Sequence, residues 1–287
     1  CLRSRDSGAA FRFSQMGRAL YTNPVRADLL RHLTVGDEVE ALTPPLYGLD
    51  APPGALDPPR RGFSPHLPSP LLKLTRELAA ALGWQAEDGP VIHRPDRPTA
   101  RWCFHSEPLV GTRGQTPFEV PSPILRPRLL GDLERVCSGL LDLGCTVNES
   151  CGLHVHVGGL KPGEVVALVS LVYAWEECIY AVCGESRRTN LECRPVTPYY
   201  VGRFADLASQ SSPRLAQVCA RALELPVNEV DQDLDKFEMP RKYGLNLCAL
   251  KLHGTVEFRY FPATLDARLV SAYTRLAAHT AAAARSQ

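Results

Sequence analysis

The chain has 287 residues, a formal net charge of +1 and 45% hydrophobic residues. That is enough material for a sizeable core. Its near-neutral balance argues against a dedicated nucleic-acid binder, which would carry a basic stripe. The ten cysteines include no CxxC pair, so they read as reduced thiols rather than a disulfide framework.

Residues 1–30 carry scattered arginines and no apolar core segment of the kind a cleavable leader needs. They read as an N-terminal extension, and the cytoplasm is the expected location. Thr34 to Leu42 (TVGDEVEAL) alternates in polarity and predicts a strand. Residues 43–70 are crowded with Pro and Gly and read as an inserted loop. From Leu71, LLKLTRELAAALG has helical spacing and a Gly stop. ARWCFHSEPLV and FEVPSPIL read as extended. PRLLGDLERVCSGLLDLG repeats its apolar residues at helical spacing, through Leu129, Leu133, Val136 and Leu140.

CGLHVHVG, Cys151 to Gly158, follows. A strand has a side-chain period of two, so His154 and His156 share one face while Leu153, Val155 and Val157 share the other. Val165 to Cys183 is the most membrane-like stretch, but Glu176 and Glu177 interrupt it. A spanning helix needs about 20 mainly apolar residues, so a helix buried in a protein core is expected, with no membrane partner. SPRLAQVCARALEL predicts a helix and VNEVDQDLDKFEMP a solvated acidic loop. KYGLNLCAL and GTVEFRYF predict a strand pair turning at His253 and Gly254, and the Ala-rich tail from Leu265 is helical. Strands and helices do not alternate as in a parallel sheet, which points to an antiparallel α+β fold.

Three strands share one pattern. Glu38 and Glu40 flank Val39, His154 and His156 flank Val155, and Glu257 and Arg259 flank Phe258. Any one of them reads equally well as a half-exposed strand with its polar face in water. The set as a whole (Glu, Glu, His, His, Glu, Arg) is unlike an ordinary solvated face. If the faces converge, the carboxylates repel each other and lose hydration, at a cost of several kcal/mol per buried ion. Divalent cations offset that cost. Oxygen-rich sites suit Mg²⁺ or Mn²⁺, and the histidines lean towards Mn²⁺. Cys151 keeps zinc open, although the absence of paired cysteines weighs against it. Glu119 in FEVPSPIL adds a carboxylate whose weight comes only from the group.

GDEVE, FEVPSPIL, CGLHVHVG, YGLNLCAL and GTVEFRYFPATLD occur in that order, and the order resembles the amidoligase family. That family belongs to the carboxylate–amine ligase superfamily of glutamine synthetase and glutamate–cysteine ligase. The resemblance covers roughly Leu33 to the C-terminal helix. It implies one catalytic domain, residues 31–287, with the Pro-rich stretch inserted. The implied fold is a mostly antiparallel sheet curved into an open, funnel-like barrel of the glutamine-synthetase type. Helices pack on its outer side, and ATP and Mg²⁺ or Mn²⁺ lie on the concave face. By the same resemblance, Glu38, Glu40, Glu119, His154 and Glu257 are metal ligands. His156, Arg259, Asn246 and Arg188 contact the nucleotide, and Glu257 and Arg259 carry the catalysis. Glu176, Arg188 and Asn190 match the acidic residue and the Arg/Asn segment of the family's long helix. The chain departs from the family pattern at Asp37, at Glu107 and Leu109, and at Ala263.

The implied activity is ATP-dependent joining of a carboxylate to an amine, on small-molecule or peptide substrates, through an acyl phosphate. A divalent-metal hydrolase using the same cluster is the alternative enzyme. A ligand-binding member of the fold without chemistry is the alternative from another class. Nucleotide dependence separates the first two, and loss of ATP binding would favour the third. Cys151 sits at the start of a strand and reads as a packed thiol rather than a nucleophile. The sequence names neither the substrates, nor the group that deprotonates the amine, nor the oligomeric state.

Overall fold

The computed structural model describes residues 2–3, 10–11, 30, 32–45, 69–108, 114–125, 130–232 and 238–286. The extension over residues 1–30 lies almost wholly outside that set, as do residues 46–68 of the Pro-rich stretch, Leu109 and Leu129.

Short strands β1 (Leu2–Arg3) and β2 (Ala10–Phe11) pair antiparallel. Strand β3 (Thr34–Leu42) matches the alternating segment. Helix α1 (Ser69–Leu82) starts with Pro70 in its first turn, where a missing N–H costs nothing. It ends at Gly83, whose φ of 66° suits only glycine well. Next come β4 (Gln85–Ala86), β5 (Val91–His93), β6 (Arg101–Cys103), β7 (His105–Ser106) and β8 (Pro117–Pro121). Helix α2 (Leu130–Asp142) precedes the histidine strand β9 (Gly152–Gly158).

The long helix α3 (Pro162–Cys183) opens on a proline, and Glu164 accepts a 2.8 Å hydrogen bond from the Lys161 amide. It is long and apolar enough to cross a membrane by length and composition. Val165, Leu168, Val169, Val172 and even Glu176 are nonetheless buried, as expected of a core helix. The short helix α4 (Glu185–Arg188) is followed by a 3-10 turn at Leu191–Cys193. Helix α5 (Pro198–Ala208) has no counterpart in the chain-order reading. Its start signal was present: Thr197 Oγ1 accepts from the Tyr200 amide at 3.1 Å, and Pro198 takes the first position. Helix α6 (Leu215–Leu223) occurs as predicted.

Beyond it lie α7 (Glu238–Arg241), β10 (Leu245–Asn246), α8 (Ala249–His253), β11 (Thr255–Pro262) and α9 (Ala267–Ala284). The KYGLNLCAL segment therefore corrects the sequence reading. Only Leu245–Asn246 is strand, and Ala249 onward is helix. Asn246 is the cause: its side-chain Oδ1 accepts from the Cys248 amide at 2.9 Å, a local turn that competes with the ladder. The turn at Gly254 stands, with φ of 67°. In the acidic stretch, Val227–Glu229 forms a 3-10 turn.

The chain divides into two compact units. The first comprises Gly36–His154 and Pro262–Thr274. Within it the strands run in the order β9, β3, β8, β7, and β4, β5 and β6 form a separate antiparallel sheet. Pairings of β3 with β8 and of β8 with β7 are antiparallel. Helix α1 buries Leu71, Leu74 and Leu78, and α2 buries Leu133, Val136 and Leu140. The two helices meet at Gly139, where a Cβ would lie 2.6 Å from Leu78. Phe104 and Phe118 stack at 6.0 Å between centroids.

The second unit comprises Cys1–Val35, Val155–Phe261 and Arg275–Gln287. Within it β10 pairs antiparallel with β11. Gly158 of β9 sits between Thr34 and Thr255, where an added Cβ would come within 2.7 Å and 3.4 Å of their side chains. The rings of Tyr180 on α3 and Tyr260 on β11 meet edge to face at 5.2 Å. Tyr200 on α5 packs against Tyr243 at 4.4 Å.

Candidate active site

In the first unit, register places Glu40 of β3 opposite Glu119 of β8, and Glu119 opposite His105 of β7. The antiparallel ladder thus lines up His105, Glu119 and Glu40 in one row. Glu40 is buried, and its Oε2 accepts a hydrogen bond from the Gly152 amide at the start of β9. His154, two residues on and also buried, bridges two carboxylates. Its Nδ1 lies 3.4 Å from Glu38 Oε2 and its Nε2 3.8 Å from Glu40 Oε1. Glu38, Glu40, Glu119 and His154 are therefore gathered in one group.

Burial pushes the Glu119 carboxyl well above its ordinary range, with Glu38, Glu107 and Glu40 adding in the same direction. Glu107 is therefore an acidic neighbour of Glu119. It is one of the positions at which the sequence departs from the pattern it resembles, and here it is one more member of the cluster. The partner departure, Leu109, lies outside the described residues. Neither His105 nor Glu107 was among the candidates. Both lie in HSEPLV, and only the register to β8 connects them to the rest.

Asp37 points the other way. It is buried on the core face of β3 with Val35 and Val39. Thr274 Oγ1 on α9 donates to its Oδ1 at 2.7 Å, and Ser122 Oγ accepts from its amide at 2.8 Å. The Thr274 hydroxyl partners the buried carboxylate, while Ser122 satisfies only the Asp37 backbone.

In the second unit, Asn246 stands opposite Glu257 across β10 and β11. Asn246 Nδ2 donates to Glu257 Oε2 at 2.5 Å, and Arg259 Nη1 donates to Glu257 Oε1 at 2.5 Å. Glu257 is buried, so its charge is held by an amide and a guanidinium. Arg259 Nε donates to the Glu192 carbonyl at 3.1 Å. A ring nitrogen of His156 comes within 4.8 Å of a Glu257 carboxylate oxygen, close enough for one cation to bridge them. His156 Nδ1 is 2.9 Å from Thr255 Oγ1. Asn246, His156, Glu257 and Arg259 are thus brought together.

Arg188 stands apart from that group: it is largely exposed on α4 and paired with Glu177. Asn190 caps the following turn, accepting from the Glu192 amide at 2.7 Å. Glu176 is fully buried, and its Oε1 accepts from the Val196 amide and the Tyr260 hydroxyl, each at 2.8 Å.

Every cysteine among the described residues is a free thiol. Cys151 is buried, donates to Asn148 Oδ1 at 3.4 Å, and is pushed further from ionisation by burial. It packs rather than attacks.

The class this defines is an α+β protein with mostly antiparallel strands, whose strand faces carry a carboxylate–histidine row in one unit and a Glu–Arg–Asn–His group in the other. Residues 73–281 match the family model described as "Putative amidoligase enzyme", and the chain belongs to that family. Glu38 and Glu40 precede the matched span; Glu119, His154, His156, Asn246, Glu257 and Arg259 fall within it. No curated protein matches the sequence.

Proposed function

We propose that this protein is an ATP-dependent ligase that joins a carboxylate to an amine on small-molecule or peptide substrates. The observation that carries the reading is the grouping of Glu38, Glu40 and Glu119 with His154, in a member of an amidoligase family. A carboxyl held above its ordinary ionisation range by burial and then by acidic neighbours is a natural seat for a hard divalent cation. The donor set fits Mg²⁺ or Mn²⁺. Glu38, Glu40, Glu119 and His154 would hold such an ion, and Glu257 would help to hold another. When bound, these ions neutralise the charge of the polyphosphate oxygens. The reading also takes the strands to build the open, funnel-like barrel of glutamine-synthetase-type enzymes, with helices outside.

Amide formation in water runs uphill, and a carboxylate is a poor electrophile. Phosphorylation by ATP overcomes both obstacles. A substrate carboxylate oxygen attacks the γ-phosphorus and ADP departs with the bridging oxygen. The amine nitrogen then attacks the acyl carbon of the acyl phosphate, inorganic phosphate leaves, and the nitrogen gives up a proton. Arg259, anchored by Glu257 and the Glu192 carbonyl, donates to the transferred phosphoryl group. His156 donates to a phosphate oxygen, and Asn246 keeps Glu257 oriented beside the nucleotide. Arg188 joins them by exchanging Glu177 for a phosphate. Losing one such contact costs about a hundredfold in rate.

The test is a screen of amino acids and peptides for ATP consumption with Mn²⁺. A ligase releases ADP and phosphate only when carboxylate and amine are both present. Release with neither, or hydrolysis without nucleotide, overturns the assignment. Glu40→Ala should abolish metal-dependent turnover while the fold survives.

A further inference from the structure

Two arginines stand side by side in the RRTN segment, and the structure gives them different surroundings. Arg188 is largely exposed, whereas Arg187 is buried, with 4% of its surface accessible. The Arg187 guanidinium faces the backbone of β11. Its Nη2 donates to the Arg259 carbonyl at 2.7 Å and its Nε to the Tyr260 carbonyl at 3.2 Å. A planar fork of donors reaches two successive carbonyls, which a lysine's single ammonium does not do in the same fixed geometry.

The clamp is itself clamped. The Arg187 carbonyl accepts from Cys193 Sγ at 3.0 Å and from the Asn190 amide at 3.3 Å. The Cys193 carbonyl accepts from the Tyr180 hydroxyl at 2.5 Å. The same turn supplies the Glu192 carbonyl to Arg259 Nε. On the other side of β11, the Arg259 amide donates to the Gly244 carbonyl at 2.8 Å. Arg259 is therefore gripped at its amide, its carbonyl and its side chain, and Arg187 with its turn supplies two of the three grips.

We infer that Arg187 is a positioning residue for Arg259: it holds β11 and the 187–193 turn together, so that the Arg259 guanidinium stays aimed along Glu257. The guanidinium has to be placed before the reaction, because a preorganised donor costs no reorganisation as charge develops. The inference rests on the ligase reading only for its effect on turnover. The effect on Arg259 itself is separate.

Two readouts on the full chain keep those apart. The first is hydrogen exchange at the Arg259 Nε–H without nucleotide, its signal assigned by its loss in Arg259→Lys. The second is ADP release with Mn²⁺ and a substrate pair. Arg187→Met should speed Arg259 Nε–H exchange at least tenfold and cut turnover about a hundredfold. Arg187→Lys should recover part of both. In the Arg259→Lys background, Arg187→Met should lower turnover less than twofold further, as expected when one residue acts through the other. A merely structural role would lower the melting temperature yet leave Arg259 Nε–H protected in the folded fraction. Unchanged protection in Arg187→Met overturns the inference. If that variant does not fold, unchanged protection in Arg187→Lys does the same. If the wild type never consumes ATP, the ligase reading falls, while the exchange result still decides the role of Arg187.

Discussion

Glu40 and Glu119 stand directly opposite each other on neighbouring antiparallel strands. Like charges in that position destabilise a ladder, yet the pairing forms part of a larger carboxylate group with Glu38 and Glu107. Added Mn²⁺ or Mg²⁺ should therefore stabilise the protein. A site occupied at a hundred times its Kd contributes about 2.7 kcal/mol, which in a chain of this size raises Tm by several degrees. Glu40→Gln should lose most of that shift while raising the Tm of the metal-free protein. A thermal melt with and without Mn²⁺ reads both effects. An equal metal shift in wild type and variant would show that the ion binds elsewhere.

The same crowding has a pH signature. The Glu119 carboxyl is raised above its ordinary value of 4.5 by burial and then by its acidic neighbours. Above pH 4.5 the unfolded chain gives up this proton while the folded protein keeps it. The folded state then binds more protons, so stability falls as pH rises towards the folded-state value. Urea midpoints of the metal-free protein should decline across that window. Glu119→Gln should flatten the decline, and Mn²⁺ should reverse it. A wild-type profile that climbs over this range would contradict the placement of Glu119.

Gly244 has no room for a side chain. A Cβ there would lie 2.1 Å from the Tyr260 ring. Gly244→Ala should destabilise by about 1–3 kcal/mol through overpacking and disturb the carbonyl that receives the Arg259 amide. Urea denaturation should show a lower midpoint at unchanged m. Gly159→Ala should be at least as harmful. Its φ is 85°, and a Cβ would lie 2.2 Å from the His32 carbonyl oxygen.

Asn246 does two jobs, donating to Glu257 and accepting from the Cys248 amide. Asn246→Asp keeps the acceptor and puts a second carboxylate beside Glu257. It should cost about 1–3 kcal/mol, the usual penalty for a buried acceptor losing its donor, and Mn²⁺ should recover part of the loss. If Asn246→Asp and Asn246→Leu are equally destabilised and neither responds to Mn²⁺, the residue only shapes the turn.

Much of this site was legible from periodicity. Alternation in TVGDEVEAL, GLHVHVG and TVEFRYF put the polar residues on shared faces, because a strand's side chains repeat every two residues whatever the partner. Asn246 was within reach as part of the family pattern, but its turn was not. A side chain bonding two residues ahead gives no periodic signal, so a strand was expected where α8 forms. Glu107 and His105 were hidden for a different reason. Their relation to Glu119 is a matter of register, and β7 is two residues long, too short to carry a pattern of its own.

Local chemistry therefore indicated most of the strands and helices, though not α5 or α8, and which strand faces carry charge and which family the chain resembles. Choosing between Arg187 and Arg188 was beyond it. Both residues are arginine, in one short helix, and only the packed structure buries one against β11 and leaves the other in solvent. Asp37 and Glu38, adjacent acids on one strand, are sent to opposite faces by the strand period alone, but the partner that satisfies Asp37 is not given by it. The core Asp37 is tolerated because Thr274, 237 residues further along the chain, reaches it. Periodicity acts between neighbours in sequence, whereas the partner that satisfies a buried charge comes from wherever the fold brings it.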